Sequence, residues 1–85
     1  MSREDILEGL KKVLAPYTPD KEALHSITPE TTFISDLKIN SANMVDILID
    51  AEEKYEIEID MDSAEKIHDV GSCVDVIMDK MNEKA

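Results

Sequence analysis

Apolar residues recur at helical spacing in three stretches of the chain, and the first lies at the start. There the spacing predicts a helix over about residues 3–15, with Ser2 as its N-cap and Asp5 three residues further on. The apolar face of this helix consists of Ile6, Leu7, Leu10, Val13 and Leu14.

A long connection follows the first helix, because Pro16, Pro19 and Pro29 interrupt any helical pattern up to about residue 35. Within it, residues 21–24 are predicted to form a turn. The connection is too apolar for a freely solvated loop, so we expect it to be ordered and to lie across the other helices. The apolar side chains concerned are Leu24, Ile27, Phe33, Ile34 and Leu37.

The second stretch predicts a helix over about residues 41–55, whose apolar stripe is formed by Met44, Ile47, Leu48, Ala51 and Tyr55. Acidic residues lie mostly off this stripe. Val45 and Ile49 fall on another face of the same helix, among the acids, where a protein partner could contact them.

The last third of the chain predicts a loop, a short helix and a final helix. Residues 55–61 alternate between apolar and acidic, but no second strand is available to pair with them, so we interpret them as an extended loop. Residues 62–67 form a short helix, and Asp69 caps a final helix with the stripe Val70, Cys73, Val74, Ile77 and Met81. The prediction is an all-α four-helix bundle, one domain over residues 1–85, with a long first loop and a short third helix.

The net charge is −11, with 20 acidic and 9 basic side chains, and residues 41–85 hold 13 of the acids and only 4 of the bases. Such a field repels nucleic acid and anionic membranes and attracts basic protein surfaces. The N-terminus does not resemble a signal peptide, and no apolar stretch approaches the roughly 20 residues of a membrane span. A single cysteine, Cys73, requires no oxidising compartment. We expect a cytoplasmic protein without membrane insertion.

Residues 33–46, FISDLKINSANMVD, resemble the acyl carrier protein family, and the similarity extends over the whole chain. In that family a Phe and an Asp-Leu pair precede Gly-X-Asp-Ser-Leu, whose serine accepts 4′-phosphopantetheine from coenzyme A. Ser41 occupies the position of that serine. Residues 52–59 are similar to the acidic end of the family's second helix and the Ile-bearing loop that follows it. Residues 64–67 match the short third helix, and Val70 begins the fourth.

The resemblance implies a carrier and not an enzyme. An acyl group would be held as a thioester on the cofactor and passed between enzymes of a fatty-acid, lipid or specialised acyl-transfer pathway. The implied partners are a phosphopantetheinyl transferase and acyl-loading and acyl-transfer enzymes with basic docking patches, and the carrier is expected to be a monomer. The partner-binding residues would be Ala42, Val45, Asp46, Ile49, Asp50, Glu53 and Glu56, and the acyl chain would contact the core residues Phe33, Leu48, Ile57, Ile67 and Ile77.

The position of Ser41 at a predicted helix start is also reasonable on physical grounds. Unpaired N–H groups and the partial positive charge of a helix N-terminus suit a phosphodiester. The alternative is that Ser41 or Asn40 simply caps the helix, since Ser and Asn are both good N-caps.

The chain departs from the family pattern beside Ser41. Asn40 and Ala42 replace the Asp and Leu, Lys38 replaces the Gly, and Asn43 stands where an acid is frequent. These changes remove charge and apolar area from the recognition surface. We therefore expect weak binding to the usual transferase and fatty-acid synthases, and a specialised carrier that acts in a dedicated pathway and not the housekeeping fatty-acid carrier.

Other function classes fit the sequence less well. A serine enzyme using His25 or His68 needs an orienting acid and an oxyanion hole, and residues 60–64 lack the remaining ligands of a calcium loop. We expect no metal site, although clustered carboxylates could bind magnesium or calcium loosely and raise the melting temperature. Two alternatives stay open: an unmodified adaptor of the same fold, and a carrier for an amino acid or another non-fatty acid.

Overall fold

A computed structural model describes residues 2–84, and its regular structure is helical. The five helices are α1 (Arg3–Leu14), α2 (Lys21–His25), α3 (Met44–Tyr55), α4 (Met61–Glu65) and α5 (Val70–Lys84). A 3₁₀ turn, Ser41–Asn43, runs directly into α3. The described residues contain no β-strand beyond an isolated bridge between Thr32 and Asp69. The all-α prediction is confirmed.

The core is formed mainly by α1, which packs against both α3 and α5. Burying large aliphatic and aromatic side chains on these facing stripes is the main source of stability in a bundle of this size. The largest fully buried side chains are Ile6, Leu10, Leu14, Phe33, Leu37, Ile39, Ile47, Val70, Cys73 and Ile77.

Side-chain caps fix the N-terminal starts of α1 and α5. Ser2 Oγ accepts a hydrogen bond from the Asp5 N–H at 3.2 Å, and the Asp5 carboxylate accepts one from the Ser2 N–H at 3.3 Å. Asp69 caps α5 as predicted, since its Oδ1 accepts from the Ser72 N–H at 2.8 Å. The first helix ends at Leu14, one residue before the predicted end.

The long connection is ordered, but it differs from the prediction in two ways. The turn expected at residues 21–24 is the short helix α2, capped by Asp20, whose Oδ1 accepts from the Ala23 N–H at 3.0 Å. Ile34 is 49% exposed, so its assignment to the packed face was wrong, because the adjacent Phe33 turns into the core instead. Ile39, which the periodicity did not select, is buried.

The two middle helices also begin at other residues than expected. The α-helical part of the second predicted helix starts at Met44 and not at Ser41, because Ser41–Asn43 is a 3₁₀ turn. The short helix α4 spans Met61–Glu65 where residues 62–67 were predicted, since Asp60 accepts a hydrogen bond from the Ser63 N–H at 2.7 Å and caps it earlier.

Between α3 and α4 the chain is extended, as predicted. Glu56 ends α3 in a left-handed conformation, and the Ile57 N–H then donates to the Glu52 carbonyl at 3.1 Å. The Glu52 carboxylate accepts from the Ile59 N–H at 2.8 Å and holds the extended segment against the end of α3.

Candidate functional site

The segment leading to Ser41 is fixed by a buried hydrogen-bond frame. Thr18, which is 3% exposed, donates its hydroxyl to the Leu37 carbonyl at 2.5 Å. Leu37 N–H donates to the Thr32 carbonyl at 3.2 Å, and Ile39 N–H donates to the Phe33 carbonyl at 3.0 Å. The side chains of Phe33, Leu37 and Ile39 are buried. Their fixed positions determine where the polar residues that follow them reach the surface.

Asn40 caps the 3₁₀ turn that contains Ser41. Its side-chain oxygen accepts from the Ala42 N–H at 2.9 Å, and its carbonyl accepts from the Asn43 N–H at 2.8 Å. The Met44 N–H donates to the Ser41 carbonyl. The N–H groups of Ala42, Asn43 and Met44 thus have acceptors within the chain, and the sequence-based expectation of unpaired donors beside Ser41 does not hold for them.

The Ser41 side chain is exposed, and its hydroxyl forms no hydrogen bond with any residue in the range 2–84. Two other serines, Ser2 and Ser72, use their hydroxyls in hydrogen bonds at helix starts. Ser2 Oγ caps α1, and Ser72 Oγ accepts from the Asp69 N–H at 3.1 Å while donating to the Asp69 carbonyl at 3.0 Å. Ser41 is therefore an accessible hydroxyl in the 3₁₀ turn that leads into α3.

The residues predicted to bind partners lie on the 3₁₀ turn and α3, and most of them are exposed. Val45 and Ile49 are 62% and 45% exposed, a large fraction for apolar side chains of this size. The remaining exposed residues of this predicted face are Ala42, Asp46, Glu53 and Glu56.

Asp50 differs from the other predicted partner residues because it is half-buried. The Tyr17 hydroxyl donates to the Asp50 carboxylate at 2.6 Å. This hydrogen bond, with desolvation and the negative charge of Asp50, raises the pKa of Tyr17 to about 12. The contact ties the loop after α1 to α3, and sequence reasoning missed it because Tyr17 lies between prolines, outside any helical pattern.

Four of the five residues predicted to contact an acyl chain are buried: Phe33, Ile57, Ile67 and Ile77. The fifth, Leu48, is half-buried and packs against the same core. Ile57 also lines an open groove of about 720 Å³ at the end of α3. The groove is otherwise lined by Glu52, Glu56, Glu58, Ile59, Asp60, Lys80 and Glu83.

Lys80 compensates part of the negative charge in this groove. Its ammonium lies 3.3 Å from Asp60 and 3.4 Å from Glu83. The hydrogen bonds from Ser63, and then that from Lys80, lower the pKa of Asp60 to about 2. The same Asp60 contact raises the pKa of Lys80. Sequence periodicity does not reveal this pair, because Lys80 and Asp60 belong to different helical segments.

No arrangement for covalent catalysis surrounds Ser41 in the described part of the chain. His25 and His68 are both exposed, and the His68 ring lies 3.0 Å from the Lys66 carbonyl and 3.3 Å from the Asp69 carboxylate. Cys73 is fully buried, and desolvation raises the pKa of its thiol to about 12. The site therefore consists of the exposed Ser41 hydroxyl beside a helix face of apolar and acidic side chains.

No helix within residues 2–84 is both long enough and apolar enough to cross a bilayer.

Comparisons with known proteins give one consistent result, although no protein-family model matches the chain. The chain is 36% identical over 78 residues to the acyl carrier protein of Tropheryma whipplei strain Twist, covering 92% of this chain and 93% of that protein. It is 37% identical over 78 residues to the acyl carrier protein of Lactobacillus acidophilus, covering 91% and 94%. The solved structure of the acyl carrier protein from Enterococcus faecalis superposes with a TM-score of 0.75 at 26% identity, covering 94% of this chain and 99% of that one.

Proposed function

The chain belongs to the acyl carrier protein family, and we propose that it carries an acyl group on 4′-phosphopantetheine attached to Ser41. The observation that supports this assignment best is the state of the Ser41 side chain, which is exposed and makes no hydrogen bond within residues 2–84. A serine that must be reached by another enzyme needs both properties.

Ser41 fits the cofactor because attachment requires only an accessible hydroxyl from the carrier. The Ser41 oxygen attacks the pantetheine-bearing phosphate of coenzyme A, the adenosine bisphosphate leaves, and the hydroxyl proton passes to the transferase. The attached group supplies a flexible arm ending in a thiol, on which the acyl group is held as a thioester. Since the transferase supplies the base and the metal, no catalytic residue is needed in this chain.

We propose that partners dock on the face formed by Ala42, Val45, Asp46, Ile49, Glu53 and Glu56. Two exposed apolar side chains among carboxylates suit a partner with a small apolar patch inside a basic rim. Asp50 contributes less than the sequence implied, because its carboxylate is bonded to Tyr17. With Asn40, Ala42 and Asn43 all uncharged, we infer that the partners nearest Ser41 are dedicated to this carrier.

The attachment test is intact mass spectrometry after incubation with coenzyme A and a broad-specificity phosphopantetheinyl transferase. The wild type should gain one phosphopantetheinyl group, and Ser41→Ala should gain none. Ser35→Ala is a matched control, because Ser35 is another exposed serine of the same connection, and it should be modified like the wild type. An unmodified, folded wild type with every transferase tried would favour the unmodified adaptor.

The docking proposal is tested by replacing exposed apolar residues on different helices. Val45→Asn and Ile49→Asn should each lower kcat/KM for modification of Ser41, mainly through a higher KM for the carrier. Met61→Asn is the control, because Met61 is 79% exposed but belongs to α4 and not to α3. Equal effects of all three substitutions would contradict a docking surface on α3.

A further inference from the structure

Tyr17 is the one aromatic side chain of the protein that is not buried. Of the three aromatic residues, Phe33 and Tyr55 are 1% and 6% exposed, whereas Tyr17 is half-buried. Its hydroxyl donates to the Asp50 carboxylate at 2.6 Å, which holds the ring in place. A partly exposed ring that is already fixed loses little conformational entropy when a partner covers it, and tyrosine is enriched at protein interfaces. Tyr17 therefore has the properties of an interface residue.

The position of Tyr17 is beside the proposed docking face. Asp50 lies four residues after Asp46 on α3, and residues four apart share a helix face. The hydrogen bond to Asp50, desolvation and the Asp50 charge raise the pKa of Tyr17, and the charge of Asp46 raises it further. An open cleft of about 430 Å³ is lined both by Pro16, the neighbour of Tyr17, and by Asp50 and Glu53 of α3. The surface is therefore continuous from α3 to the loop after α1.

The surroundings of the Tyr17 hydroxyl favour a cation from the partner. Its proton is donated to Asp50, and its oxygen accepts no hydrogen bond from any residue in the range 2–84. A phenol that donates to a carboxylate becomes a stronger acceptor, because the two hydrogen bonds polarise each other. A Lys or Arg side chain can donate to this oxygen within the field of Asp46 and Asp50. Lys12 and Lys54 line the neighbouring cleft, where their charges offset the carboxylates.

We propose that Tyr17 is a partner-binding residue, at which the docking surface of α3 continues onto the loop after α1 and a basic side chain of the transferase is bound. This inference rests on the proposed attachment at Ser41, since it concerns the enzyme that modifies that residue. The phenol oxygen accepts a hydrogen bond from the basic side chain, and the ring adds apolar contact area. Asp50 acts indirectly, because its carboxylate holds the hydroxyl.

The kinetic test follows modification of Ser41 by coenzyme A and the broad-specificity transferase. For Tyr17→Ala we expect the KM for the carrier to rise at least about fivefold, the loss typical of a contributing interface residue, with unchanged kcat. Tyr17→Phe keeps the ring but lacks the acceptor oxygen, so its KM should lie between those of Tyr17→Ala and the wild type. Ser2→Ala is the control for stability, because it removes the cap at the other end of α1, and it should keep the wild-type KM.

Three kinetic results would overturn the inference. A wild-type KM in Tyr17→Ala would show that the transferase does not contact Tyr17, and a wild-type KM in Tyr17→Phe would contradict the role of the phenol oxygen. An equal rise of KM in Ser2→Ala would show that docking suffers from any loss of stability. Thermal unfolding of each variant shows whether it is folded under the assay conditions. If Tyr17→Ala is not, the comparison rests on Tyr17→Phe, which keeps the packed ring.

A second measurement separates docking from modification. The transferase is added without coenzyme A to isotope-labelled Ser41→Ala, and the amide signals are followed by NMR. The signals of Tyr17 and Ile49 should shift together, whereas that of Glu4, at the start of α1, should not. A shift at Ile49 without one at Tyr17 would overturn the inference and leave the docking face on α3 alone. If neither signal shifts and the wild type is never modified, the proposed attachment fails, and the inference fails with it.

Discussion

Lys38, three residues before Ser41, has an unusual backbone conformation. It has φ of 57°, in the left-handed region that residues with a Cβ rarely adopt. The conformation lets the chain turn between Leu37 and Ile39, which are both buried. A residue with a Cβ in this conformation lowers the stability of the folded state by about 1 kcal/mol or more relative to glycine. The glycine that the family carries at this position therefore has a backbone explanation.

Replacing Lys38 with glycine should stabilise the protein. We expect Lys38→Gly to raise the free energy of unfolding by about 0.5–1 kcal/mol, because relief of the strained φ exceeds the entropy that glycine adds to the unfolded chain. Lys66→Gly is the control, since Lys66 is also exposed but has φ of −81°, and it should lower the free energy of unfolding. Urea denaturation of both variants measures the difference. Stabilisation by both would contradict backbone strain at Lys38 as the cause.

The sequence predicted that Ser41 begins a helical segment, but it did not predict whether the Ser41 hydroxyl or the Asn40 side chain caps that segment. Asn40 and Ser41 are both suitable N-caps, and propensity does not choose between neighbours of equal strength. The choice depends on the buried frame of Thr18, Leu37 and Ile39, which fixes the direction of the backbone before the turn. Contacts between distant segments of this kind leave no periodic signal in the sequence.

Gly9 of α1 faces Tyr55 of α3 at close range. The Tyr55 hydroxyl donates to the Ile6 carbonyl at 3.1 Å. A Cβ on Gly9 would overlap with the Tyr55 hydroxyl oxygen, whereas it would lie 3.4 Å from the ring carbon that bears this oxygen. It would also lie 2.9 Å from Lys54 Cε, near the end of a flexible side chain that can move away. Gly9 is therefore required by the contact between the two helices, despite its low helix propensity.

A double-mutant cycle should reveal this contact. Gly9→Ala should destabilise the wild type, although alanine is normally favoured over glycine within a helix by about 1 kcal/mol. In a Tyr55→Phe background the overlapping oxygen is absent, so the same substitution should become neutral or stabilising. Chemical denaturation of the four proteins gives the coupling energy. Additive effects of the two substitutions would contradict the proposed overlap.

The longer helices were predictable because their apolar stripes are long enough to define a period, and α1, α3 and α5 lie close to their expected positions. The short elements were not. Helix α2 has five residues and the turn at Ser41 has three, so neither contains a full repeat. Ile34 was misplaced for a related reason, since in a turn two adjacent apolar residues face opposite ways and the sequence does not show which one is buried.

Over the whole molecule, repulsion among the acids competes with a few surface ion pairs. The pairs include Arg3 with Asp75 at 2.5 Å and Lys80 with Asp60 at 3.3 Å. Exposed pairs of this kind contribute about 0–1 kcal/mol each. The net charge of −11 is spread over a body measuring 35 × 25 × 20 Å. At about 0.01 M salt the Debye length is roughly 30 Å, so nearly all the carboxylates repel one another.

Added salt should therefore raise the melting temperature, because screening weakens many repulsions and only a few attractive pairs. Between about 0.01 M and 0.2 M NaCl we expect a rise of at least several degrees, since about 1 kcal/mol shifts Tm by roughly 4–8 °C in a domain of this size.

No cluster that could hold a metal is found among the described residues, so MgCl₂ at equal ionic strength should raise Tm by a similar amount. Lys80→Met should lower Tm more at low than at high salt, whereas Lys66→Met, which breaks no observed ion pair, should change it little. A Tm that falls as NaCl is added would show instead that the ion pairs outweigh the repulsion.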